Sequence, residues 1–231
     1  MRKYALLVLL AALLSGCRSG VPDESGTAAI DWVDFVKWNG VEYHGIHTGI
    51  LADKSAIGKK VGQVTFMVAD HIADPSYKTK DGDAAFYKKG TDLYAVNGHP
   101  DLLAVRDKRA KNGYKIYYST KTSEYKWHFA NVPIKKVARA EVSQDGQNQS
   151  KMIVGAQLQL FLQLLTASKP VDQFIPDTDK KASSYQIVLY TGEAVAYHYS
   201  VQHDGTTYYW HPWDTAILSN DIKRFLENKS E

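Results

Sequence analysis

The residues of this chain best suited to chemistry gather near its C-terminus. His203-Asp204-Gly205 is followed by Tyr208-Tyr209-Trp210-His211-Pro212-Trp213-Asp214, so aromatic rings, two histidines and two acids surround one hairpin and its exit. His211 with Asp214, or with Asp204, has the residue types of an oriented acid–base pair, in which a carboxylate holds an imidazole for proton transfer. Tyr209, Trp210 and Trp213 offer flat faces on which a sugar or another flat ligand can stack, flanked by His211 and Asp214. The plainer reading of the same residues is strand alternation, with one face packed into a core and polar tips on the other. That plainer reading weighs more heavily against catalysis than against ligand binding.

Two further groups invite a metal. In His44-Gly45-Ile46-His47 two imidazoles stand three residues apart, with Asp70, His71 and Asp74 as imaginable partners. A zinc site needs a third and usually a fourth ligand with an ordered surround, so solvated histidines on a polar loop are the simpler expectation. Asp81-Gly82-Asp83 looks like the start of a calcium loop, but Ala84, Ala85 and Phe86 stand where ligands would be needed, and a plain turn is expected. No G-x-S-x-G elbow, S-x-x-K pair or glycine-rich phosphate loop occurs. No catalytic residue, metal or cofactor is therefore assigned.

The N-terminus sets the location. Arg2 and Lys3 precede an apolar run, Tyr4 to Leu14, then Ser15, Gly16 and Cys17. A charged start, a short apolar run and small residues describe a secretory signal peptide, and the run is too short to cross a bilayer as a helix. Leu14-Ser15-Gly16-Cys17 resembles the bacterial lipobox, whose cysteine is lipidated and becomes the first mature residue. Cys17 is the sole cysteine in 231 residues, which excludes disulfides and thiolate chemistry once it is acylated. Residues 1–16 read as signal and 17–29 as lipidated cysteine plus a polar, Gly- and Ser-containing tether. Acyl chains contribute about 0.8 kcal/mol per buried CH₂, so two or three of them make a stable anchor.

The formal charge of +3 drops near +1 when Arg2 and Lys3 leave with the signal, and lysines are interleaved with acids. Nucleic acid is thus not an expected partner. The chain has 15 Tyr and 5 Trp against 7 Phe, a balance that suits strands first and half-wet binding faces second.

Patterning supplies the frame for these residues. Ile30–Trp38 and Val41–Tyr43 flank Asn39-Gly40, a strong hairpin signal. Strands are also expected at Gly62–Ile72, Leu93–Val96, Leu102–Arg106, Tyr114–Ser119 and Lys136–Val142. The polar stretch Ser143–Ser150 reads as a junction. Beyond it a helix is expected from Lys151 to about Ala167 with Ser150 as cap, although Leu158, Leu160, Leu162 and Leu164 alternate as a strand would. Three strands follow, Tyr185–Tyr190, Ala194–Gln202 and Thr206–Trp210, then a helix from about Ser219 to Asn228. The expected class is α+β: a β-rich unit of antiparallel hairpins over 30–142, then a helix, three-strand meander, helix unit over 151–231, either as two units or as one continuous domain.

The segments IDWVDFVKWNGVEY (30–43) and DGDAAFYKKGTDLYAVNG (81–98), behind the lipobox, resemble uncharacterised secreted lipoproteins of Gram-positive bacteria. The resemblance implies a location and a β-rich start, and it brings no catalytic residues. The resulting expectation is an extracytoplasmic lipoprotein, held to the cell membrane by its lipid anchor. It would be a non-enzymatic module binding a ligand, an envelope protein or a carbohydrate. The alternative is an envelope hydrolase using His211 and Asp214, or a metal at His44 and His47.

Overall fold

The computed structural model describes residues 30–147, 149–172, 174–177, 180 and 182–227; Cys17, the signal and the tether lie outside them, as does Asn228. Asn39 and Gly40 take φ values of 50° and 71°, as a type I′ turn requires, and β1 (Phe35–Trp38) pairs with β2 (Val41–Gly45) with Trp38 opposite Val41. This hairpin belongs to a first eight-stranded sheet. From one edge it runs β4 (Ile57–Gln63), β7 (Asp92–Val96), β8 (His99–Arg106), β9 (Tyr114–Ser119), β2, β1, β6 (Asp83–Ala84) and β5 (Phe66–Met67). All its pairings are antiparallel except β5 with β6. Leu102 to Val105 of β8 are all buried, because both faces of the sheet are covered. Leu103 and Val105 pack with Val36 and Tyr117, whereas Leu102 and Ala104 face Leu51, Trp127 and Val195.

The second sheet runs β11 (Ser150–Ile153), β10 (Arg139–Gln144), β13 (Ser183–Tyr190), β14 (Val195–His203), β15 (Tyr208–Trp210), β16 (Ala216–Leu218) and β12 (Lys169–Pro170), with β3 (Gly49–Leu51) also on β14. The α+β expectation is overturned. Among the described residues the fold is two large curled sheets of eight strands each, with only two short helices. The cause is local. Residues 150–153 do not cap or begin a helix; they pair with β10, Ser143 opposite Ser150, so both ends of the expected junction are strand residues of one hairpin. The helix α1 is therefore shortened to Gly155–Thr166, and its N-cap Val154 has no side-chain cap bond. Within it Leu158, Phe161, Leu162 and Leu165 are buried at helical spacing against Ile187, Leu189 and Val201 of the second sheet, so the helical period prevails over the alternating leucines. The expected C-terminal helix is a 3₁₀ turn, Asn220–Ile222, capped by Ser219, followed by one turn of α2 (Lys223–Leu226). Ile222, Phe225 and Leu226 are nevertheless buried. The strand expected over Gly62–Ile72 is displaced: β4 ends at Gln63, and only Phe66 and Met67 continue as strand.

One edge of β14 positions the site. Its first residues pair with β3, Val195 opposite Leu51, and its last with β15, Val201 opposite Trp210. Two strands from distant parts of the sequence thus share one edge end to end. Between them the His198 N–H donates to the Thr48 carbonyl and the His211 N–H to the Ser200 carbonyl, each at 3.0 Å. The chain reaches β3 directly from β2 of the first sheet, through Ile46, His47 and Thr48, so this seam joins the two sheets. Gly49 stands there because a Cβ would lie 2.7 Å from Ile46 Cγ2 and 2.8 Å from Val195 Cγ1. Gly49→Ala is expected to lower stability by about 1–3 kcal/mol through overpacking. Urea denaturation measures this, and an unchanged midpoint would show that the seam can yield.

Candidate binding site at the seam

Three connectors meet at the gap in the second sheet: 46–48, 125–129 and 211–215. Thr48, 1% exposed, ties two of them to β14. Its Oγ1 donates to the Trp127 carbonyl at 2.6 Å, and its N–H donates to the Tyr125 hydroxyl at 2.9 Å. That hydroxyl in turn donates to Thr48 Oγ1, and the Tyr199 hydroxyl donates to the same Trp127 carbonyl at 2.9 Å. The third connector is pinned by Asp214. Its Oδ1 accepts from His128 Nδ1 at 2.9 Å and its Oδ2 from the Phe129 N–H at 2.8 Å. Asp214 itself has φ of 54°, a left-handed value that Asp tolerates better than most residues. The His211–Pro212 bond before it is cis.

Above the gap lies a stack of rings. His47 is parallel to Tyr125, 4.5 Å away at 10°, and on its other side Trp213 lies at 3.8 Å and 35°. Burial between these rings, with His128 nearby, lowers the His47 pKa, while Asp214 pulls it upward. Trp213 remains 47% exposed.

The 211–215 connector is a wall between two cavities. On one side a small cavity of about 90 Å³ is lined by His47, Thr48, His198, Ser200, His211 and Trp213, among others. On the other a cleft of about 480 Å³ is lined by Phe129, Val132, Ile134, Pro170, Trp210 and Ala216, with Thr166, Ser168, Asp214 and Thr215 as its polar residues and Ala130 at its mouth. Phe129 and Trp210 face each other with centroids 5.0 Å apart. The Trp210 indole N–H is buried without an acceptor, which costs roughly 1–3 kcal/mol in the wall of the cleft.

The residues singled out by sequence are only partly brought together. Trp213, Asp214 and His211 lie on the connector, but His211 and Asp214 do not pair; His128 takes that place. Trp210 and Tyr209 are not an exposed platform. They are 1% and 3% exposed, Trp210 packed in the core and Tyr209 against Phe174 at 4.3 Å with its hydroxyl on Gln202. The cause is strand β15, which lies between β14 and β16 and is covered on both faces. His203 and Asp204 belong to the hairpin turn. His203 stacks on Tyr208 at 4.1 Å, and Asp204 accepts the N–H groups of Thr206 and Thr207. His44 and His47 part company: His44 pairs with Glu42 at 2.8 Å, whereas His47 enters the ring stack. His71 Nδ1 meets the Met67 carbonyl, and Asp74 accepts from Ser76. In the 81–83 turn Asp81 accepts the Gly40 N–H, and Asp83 accepts the Tyr77 hydroxyl and the Lys80 N–H. Among the described residues no group of three or more His, Cys, Asp or Glu is placed to hold a metal ion, and no helix is long and apolar enough to cross a membrane.

Sequence reasoning missed Thr48, Tyr125, His128 and Phe129. Tyr125-Lys126-Trp127-His128-Phe129 is as rich in rings as the 208–214 stretch, and that composition was the available signal. No family model, curated protein or solved structure matches the chain.

Two expectations follow. Trp210→Ala should cost about 3–5 kcal/mol as a buried aromatic deletion, whereas Trp213→Ala should stay within about 1 kcal/mol. Equal losses in denaturation would contradict the assignment of one ring to the core and the other to the surface. Burial, aided by Lys111 and opposed by Asp145 and Glu141, lowers His198 from 6.5 to about 4. Because the folded value lies below the unfolded one, the unfolded chain binds the extra proton between them. Stability is thus fully present above pH 6.5 and is lost as pH falls towards about 4. His198→Gln should flatten this part of the stability profile, leaving the smaller slope due to His47; an unaltered profile would show that His198 is not the group responsible.

Proposed function

We propose that this chain is an extracytoplasmic lipoprotein, anchored through Cys17, whose folded part binds a small and largely apolar ligand without transforming it. The observation that carries the binding half of this reading is the cleft beside Trp210. Ligand pockets commonly measure about 300–1,000 Å³, are lined mainly by apolar and aromatic side chains, and carry a few polar groups that fix orientation. A cleft of about 480 Å³ walled by Phe129, Trp210, Val132, Ile134 and Pro170 has that composition. The anchoring half rests on the lipobox-like sequence Leu14–Cys17 and on the polar tether behind it.

Both halves have a direct test. The neutral dye N-phenyl-1-naphthylamine should bind the folded protein saturably, one per chain. Ala130→Trp, a substitution at the exposed mouth, should block it with no loss of folding. Dye uptake that is non-saturable, or indifferent to Ala130→Trp, would remove the cleft from consideration. Cys17→Ser should move the protein from membrane fractions to the soluble fraction; full retention of the variant in membranes would refute the anchor.

A further inference from the structure

Among the described residues the cleft is lined by one ionisable side chain, Asp214; the rest of that lining is aromatic, aliphatic or hydroxyl-bearing. Lys169 stands between two lining residues, Ser168 and Pro170, but strand alternation turns it away from the cleft. Asp214 brings a carboxylate to the lining, held by His128 Nδ1 on one oxygen and the Phe129 N–H on the other. Each carboxylate oxygen accepts one protein hydrogen bond and keeps a further acceptor site. A carboxylate at an apolar, partly dehydrated surface acts on a ligand charge more strongly than it would in bulk water.

Resting on the binding reading above, we propose that the cleft takes a small organic cation. An ammonium group would meet Asp214, and a flat or aliphatic body would lie against Phe129 and Trp210. Fatty acids, phosphate esters and other anionic amphiphiles are excluded by the same charge. Ser168 and Thr215 supply hydroxyls to a second donor or acceptor on the ligand, whereas the Thr166 hydroxyl donates to the Leu162 carbonyl and can only accept.

Three probes with closely matched phenyl-bearing bodies separate charge from apolar contact: 2-phenylethylammonium, 2-phenylethanol and 3-phenylpropionate. Binding to the folded protein is followed at the Trp210 indole N–H resonance. The ammonium is expected to bind at least about tenfold more tightly than the carboxylate, equivalent to about 1.4 kcal/mol, with the alcohol between them. Asp214→Asn should abolish the difference. Asn also tolerates the left-handed backbone, and its amide can remake both contacts once the His128 imidazole changes tautomer. Ser168→Lys leaves the connector untouched and should reverse the order of the probes, so the inference stays testable even if the Asp214 variant misfolds. Saturable binding with no preference among the probes, or a preference that survives Asp214→Asn, overturns the cation assignment and leaves the cleft standing as a binding site. Absence of saturable binding by all three overturns both.

Discussion

The structure depends on the division of one strand edge between two partners. β14 has nine residues, and on the side away from β13 no single strand covers it. β3 takes one end and β15 the other. A central strand with bare N–H and C=O groups in its middle would leave buried polar groups unpaired, at a cost comparable to lost hydrogen bonds. The gap is closed by the ends of the incoming chains themselves: the Thr48 carbonyl accepts from His198, and the Ser200 carbonyl accepts from His211. Both partners must arrive in register for this to work. The residues just outside the two short strands, His47 and Thr48 on one side and His211 to Asp214 on the other, are therefore fixed by sheet pairing rather than by their own propensities.

This arrangement explains why the polar groups at the seam are so thoroughly satisfied. Thr48 is buried and uses its N–H, its carbonyl and its hydroxyl. The Trp127 carbonyl takes two donors, Thr48 Oγ1 and the Tyr199 hydroxyl. Fully satisfied networks of this kind rigidify, whereas partly satisfied ones destabilise. Beneath them, Ile46, Leu51, Trp127 and Val195 join Leu102, Ala104 and Ile116 in a core that belongs to both sheets. The rings above the gap are thus mounted on a rigid base. The contrast is the Trp210 N–H in the wall of the cleft, which finds no acceptor among the described residues.

What the sequence made legible was local. The Asn39-Gly40 turn, the strand Tyr114–Ser119 and the antiparallel run of three strands after Tyr185 follow from period and turn chemistry, which act over a few residues. So does the buried stripe of α1. The tyrosine surplus is likewise structural: Tyr77, Tyr87, Tyr117, Tyr190 and Tyr208 place their rings in strands or cores and donate their hydroxyls to acids. Strands of two or three residues such as β3, β6, β12 and β16 carry no alternation to detect, and they exist because an edge was waiting for them. β4, with the sequence IGKKVGQ, lacks a regular apolar face and has register shifts against β7. Counting such strands as loops is what turned a two-sheet fold into an apparent α+β one. The site was legible in composition and not in partnership. Asp214 was recognisable as a carboxylate beside rings, but its imidazole lies 86 residues away in sequence, and the Thr48–Tyr125 pair spans 77.

That long-range partnership gives Asp214 two roles that cannot be separated by simple deletion. Its carboxylate holds the 211–215 connector against His128 and Phe129, and the connector is the wall shared by the small cavity and the cleft. It is also the one ionisable group among the described residues that line the cleft. A ligand charge drawn to Asp214 would share the carboxylate that pins the wall, on a connector whose Trp213 packs on His47. If a ligand occupies the cleft, its binding and the order of the connector would be linked through Asp214, and linkage is reciprocal. The left-handed backbone at Asp214 belongs to the same balance, since its strain is held by the two hydrogen bonds that a ligand would perturb. A residue at once strained, charged and structurally committed is where a fold of this kind can convert binding into a change of shape.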